Sequence, residues 1–148
     1  DAGSSIIKGS QSPLTSLTLF AGRRSIGDHQ IRSQGGNVPG FAFAVPVVSG
    51  KEELDRKTLE EIAGPRLPEH EAAMRDAGIS RHAAWHQQTP DGTLALVYME
   101  APDEAAITKF TGSNAPFNTW FREVMKEVHG VDISQPGPPV TKVLDVQL

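Results

Sequence analysis

Two segments of this chain are apolar at both parities, and no other feature limits its fold as much. In residues 41 to 48, Phe41, Phe43, Val45 and Val47 share one side of an extended backbone, with Ala42, Ala44 and Val48 opposite. In residues 93 to 100, Leu94, Leu96 and Tyr98 oppose Ala95, Val97 and Met99. Such runs read as strands buried on both faces, so whatever sheet they form needs cover on two sides.

The elements between them follow from turn and cap signals. Ser49 and Glu52 have the spacing of a capping box, which predicts a helix through Ala63 with Leu54, Leu59 and Ile62 as its apolar stripe. Gly64-Pro65 ends it, Pro68 suits the first turn of a second helical piece, and Gly78 closes that piece. Residues 81 to 88 and 93 to 100 read as a hairpin around Thr89-Pro90-Asp91-Gly92. Residues 103 to 111 form a short helix, and Pro116 opens a longer one ended by Gly130. Phe117, Trp120, Phe121, Val124 and Val128 of that helix fall on one face. Residues 140 to 148 alternate as a last strand. The expected order is β-α-β-β-α-β, an α+β ferredoxin-like arrangement with an antiparallel sheet and helices on one face. The helices cover one set of strand side chains. A second copy of the chain is the simplest cover for the other, so a homodimer is expected.

Composition narrows the function classes. The 148 residues suit one domain, and a net charge of -4 leaves no basic field for nucleic acid or an anionic membrane surface. Residues 1 to 40 hold half of the fourteen glycines and a net +2, and read as a disordered or non-native tail; residues 41 to 148, at -6, form the domain. No run has the length of a membrane span, and no secretion signal is visible. The absence of cysteine removes disulfides, thiolate nucleophiles and cysteine zinc sites, and fits the cytoplasm. No glycine-rich phosphate loop, nucleophile elbow, flavin or nicotinamide fingerprint is present, so no cofactor is expected.

Several stretches carry a likeness: Gly78-Ile79-Ser80-Arg81, Trp85 through Gly92, Val97-Tyr98-Met99-Glu100, and Pro116-Phe117 through Trp120-Phe121-Arg122-Glu123 to Val128-His129-Gly130-Val131-Asp132. Over residues 41 to 148 they resemble an uncharacterised family of small bacterial proteins of the dimeric α/β barrel superfamily, which also holds antibiotic-biosynthesis-type monooxygenases and stress-response barrel proteins. The resemblance implies the dimeric barrel fold and a ligand cavity. His82 and His86 depart from the family's pattern.

Candidate chemistry rests on few residues. His82 and His86 are four apart on a strand, roughly 13 Å, too far to share one ion, so no metal site is expected. His70 and His129 are the candidate acid-base groups, since imidazole exchanges protons near neutral pH. Trp85, Tyr98 and Trp120 combine flat apolar area with a polar tip and are the candidate ligand-binding residues, on a pocket between the sheet and the helix from Pro116 to His129. The charge run from Lys51 to Glu61 reads as a solvated helix face. Two functions fit. One is a non-catalytic small-molecule-binding or stress-associated dimer; the other is a cofactor-independent monooxygenase or isomerase acting on a small aromatic or enolic substrate.

Overall fold

The computed structural model describes residues 37–148 and the backbone of Thr18–Gly22. The remainder of residues 1 to 40, read above as a tail, lies outside the described residues. In chain order the elements are β1 (Thr18–Gly22), β2 (Gly40–Pro46), α1 (Glu52–Ala63), α2 (Leu67–Ala77), β3 (Arg81–Thr89), β4 (Gly92–Glu100), α3 (Glu104–Gly112), α4 (Pro116–His129) and β5 (Pro139–Thr141).

The five strands lie in the order β3-β4-β2-β1-β5, and β4 pairs antiparallel with β3 through Trp85↔Leu96 and with β2 through Ala44↔Leu96. These registers put His82, Ala84 and His86 on one face with Met99, Val97, Ala95, Phe41, Phe43 and Val45. All four helices pack on that face. Phe41, Met99, Phe110, Phe117, Phe121 and Met125 belong to one core cluster, and Val45, Val47, Ala95 and Val128 form another.

The ferredoxin-like β-α-β-β-α-β expectation, and with it the dimeric α/β barrel, is corrected. From Gly40 onward the order is β-α-α-β-β-α-α-β, because each crossover holds two helices. In the first, Gly64-Pro65 breaks the path and Pro68 restarts it; in the second, Ser113 to Ala115 separates two helices of different direction. The last strand also fails to join the three-stranded core. It is three residues long, not nine, and pairs only with β1, in parallel, from Leu19↔Pro139 to Ala21↔Thr141. With β1 seated beside β2, the position that a ferredoxin-like last strand would fill is taken. Beyond Thr141 the alternation continues without a partner strand among the described residues, and Val143, Leu144, Val146 and Leu148 are exposed.

The capping box at Ser49 and Glu52 is absent too: Lys51 precedes the first turn of α1 and no side chain caps it. Other signals act as read. Gly78 and Gly130, at φ of 85 and 69, take the left-handed conformation that closes α2 and α4. Asp103, not the residues after it, starts α3 by accepting a hydrogen bond from the Ala106 N–H at 2.9 Å.

Candidate functional site

Asp55 lies in the middle of the charged run of α1, yet it is 1% exposed. The reason is its phase. Asp55, Thr58, Leu59 and Ile62 follow the i, i+3, i+4, i+7 pattern, and all four turn toward the sheet. An ionisable group at such a depth needs partners. His86 supplies one, its Nε2–H donating to Asp55 Oδ2 at 2.6 Å. His129 approaches from α4, with Nε2 at 4.0 Å from Oδ1.

The tautomers follow from the partners. His129 Nδ1 is 3.0 Å from the Pro46 carbonyl, which only accepts, so Nδ1 carries the proton and Nε2 offers its lone pair toward Asp55. Burial pushes the His129 imidazole below its usual range; the Pro46 carbonyl and Asp55 pull it upward in part. On His86 the proton at Nε2 is committed to Asp55, which leaves Nδ1 with the lone pair. That atom has no hydrogen-bond partner among the described residues, and the side chain is 24% exposed.

A second histidine pair sits further along β3. His70 Nε2, from α2, lies 3.0 Å from His82 Nδ1, so one ring donates to the other. Phe110, Phe117 and Phe121 surround them, with the His70 and Phe117 rings 5.7 Å apart and the His82 and Phe121 rings 6.4 Å apart. Burial, aided by His70, pushes His82 down to about 3, and burial lowers His70 as well. A proton on either ring would place a cation among aromatic side chains.

Space connects the two stations. A partly enclosed cavity of about 70 Å³ lies between the sheet and the helices, walled by apolar side chains with Asp55, His82, Thr111 and His129 as its polar members. Above it, a groove of about 320 Å³ runs between α1, α2 and β3 past His70 and His82. A continuation of about 370 Å³ passes Arg56, Glu60 and His86. Leu59 and Ala84 line all three spaces.

The candidates named from sequence are distributed, not gathered. His70 borders the groove and His129 the cavity, each with a partner that spacing did not reveal. Trp85 and Tyr98 lie on the sheet face away from the helices, where with Ala42, Ala44 and Leu96 they border an open concavity of about 500 Å³; Trp85, on the edge strand, also borders the space beside Arg56 and His86. Trp120 is on α4 beside Phe117, with the Arg66 guanidinium 4.0 Å above its ring. None of the three faces the cavity. The residues missed were Asp55, His82 and His86. For Asp55 the available signal was an acidic residue in phase with Leu59 and Ile62; for the histidines it was their parity with Ala84 on a strand.

Among the described residues, no three His, Asp or Glu side chains are grouped to hold a metal ion, and no helix is long and apolar enough to cross a membrane. No protein-family model, curated protein or solved structure matches the chain.

Proposed function

We propose that the protein binds a small organic molecule in the groove between α1, α2 and β3, with the underlying cavity taking its apolar end. The observation that carries this reading is the shape and lining of that space. Leu59, Ile62, Ala63, Leu67 and Ala84 make apolar walls, and His70 and His82 are the polar members among the described residues. Ligand sites have this character, a few hundred Å³ of mostly apolar wall with isolated polar groups that fix orientation. Binding requires no more than these walls provide.

Native mass spectrometry of protein purified from cells tests the reading, with a retained mass of a few hundred daltons expected. Ala84→Trp, which fills the space that all three hollows share, should release it while the thermal transition stays cooperative. Retention by the filled variant would place the ligand elsewhere.

The uncovered sheet face supports a homodimer. Ala42, Ala44, Leu96 and Tyr98 present an uncharged surface, with Arg81 and Glu100 paired at one end. A two-fold axis along such a face covers the apolar centre of each subunit with that of the other.

A further inference from the structure

We infer that His86 is the acid-base group of a proton-transfer site, with Asp55 as its positioning residue, acting on a small carbonyl compound that carries a weakly acidic α-hydrogen. This rests on the groove being a ligand site and adds a reaction to it.

Three features separate this cluster from a merely satisfied buried carboxylate. The first is direction: the Asp55 carboxylate holds the His86 Nε2 proton at 2.6 Å, so the basic atom is Nδ1, which is unpartnered on a side chain that borders the groove. An imidazole oriented through one nitrogen by a carboxylate is stabilised when the other nitrogen takes a proton, because the resulting cation lies against a fixed anion. The second is surroundings. Leu59, Ala63, Ala84 and the Trp85 ring offer apolar contact beside the base, and Arg56 lies on the same wall. Arg56 is itself bound by Glu53 and Glu60, which fix its position and temper its charge. The third is the second imidazole. His129, its tautomer set by the Pro46 carbonyl, brings a lone pair to 4.0 Å from the other carboxylate oxygen, so the cluster has room for one further proton.

The step balances without a co-reactant. The α C–H proton passes to His86 Nδ1, the C–H electron pair becomes the enolate C=C bond, and the carbonyl π pair moves onto oxygen. The imidazolium then returns a proton to carbon. At the rim of a groove open to water, that proton exchanges with solvent.

Exchange of the benzylic hydrogens of 1-phenylpropan-2-one in D2O, followed by proton NMR with the full chain, reads the step directly. Saturation-transfer NMR reads binding of the same ketone separately. The native protein should accelerate exchange above an equal concentration of free imidazole. His86→Gln should lose about a hundredfold or more of that acceleration with ketone binding retained, the scale of a lost general base. Asp55→Asn should reduce the exchange rate while leaving the ketone's half-saturation concentration in place, a split that a purely structural Asp55 would not give. Should Asp55→Asn fail to fold, nitrogen-15 NMR of the native imidazoles decides the positioning role: His86 protonated at Nε2 alone supports it, and protonation at Nδ1 alone overturns it. Binding without exchange, or equal exchange in His86→Gln, overturns the proton-transfer site and leaves the ligand site standing. Absence of ketone binding overturns both.

Discussion

The two faces of the sheet are built from the same strands with nearly the same apolar content, yet they have become different materials. On the helix side, Phe41, Val45, Ala95 and Met99 are buried, and the polar groups admitted among them, Asp55, Thr58, His70, Thr93, Asn118 and His129, all have partners. On the other side Trp85 is 54% exposed, and Ala42, Ala44, Leu96 and Tyr98 are only partly covered. An apolar alternation therefore states how much a strand can bury. What covers each face is decided by crossovers, which here all run to one side. Polar side chains on the covered face meet a hydrogen-bond partner, side chain or backbone, because a lone one would forfeit its water without replacement.

The contrast can be broken most forcefully at Phe110, which is 1% exposed and touches His70, His82 and Phe121. Phe110→Ala should cost about 3 to 5 kcal/mol in urea unfolding. Trp85→Ala, on the open face, should cost under about 1 kcal/mol in the isolated subunit; equal losses would mean that both faces are core. Next in size is assembly. Sedimentation equilibrium should give about twice the 15.9 kDa chain mass, and Leu96→Asp should weaken association about a hundredfold or more by placing a charge in the joined faces. A folded native monomer would show that water suffices as cover.

The histidine pair gives an effect that depends on pH. Both imidazoles hold protons more weakly when folded, so below an ordinary value of 6.5 the unfolded chain binds more protons than the native one. Stability is therefore full above about pH 6.5 and falls as the pH drops from there toward 3, by about 1.4 kcal/mol per pH unit for each histidine in deficit. Urea midpoints between pH 7 and 4 measure the slope, and His82→Phe should flatten it; an unchanged slope would assign the acid sensitivity to other groups. Smallest of all is Tyr98→Phe. Its hydroxyl donates to Glu100 at 3.1 Å on the open face, so removal should change stability by less than about 0.5 kcal/mol.

Local signals in the sequence were dependable where one residue's backbone chemistry decided the outcome. Gly78, Gly130, Pro116 and the Thr89 to Gly92 turn all act at or within a residue of the expected place. Signals that needed knowledge of a neighbour failed. Residues 142 to 148 alternate well, but β1 has only five residues to offer and pairing stops at Thr141. Asp55 looked solvated because its sequence neighbours are charged; its phase with Leu59 and Ile62 was the contrary evidence, and His86, on another element, is what makes its burial tolerable. Likewise the spacing of His82 and His86 could not reveal that each meets a partner from a helix. The large aromatic residues do not gather at one place, since Trp85 and Trp120 are on opposite sides of the sheet.

The parallel pairing of β1 with β5 joins residues about 120 positions apart, Leu19 opposite Pro139, through a ladder of three partners. Closing so long a loop for so few hydrogen bonds returns little free energy relative to the chain entropy lost. That edge should form after the β3–β4 hairpin and open before it. Backbone amides there should exchange with solvent through local opening, at free energies well below those of β4, so the molecule frays from the side opposite its histidines while the groove stays intact.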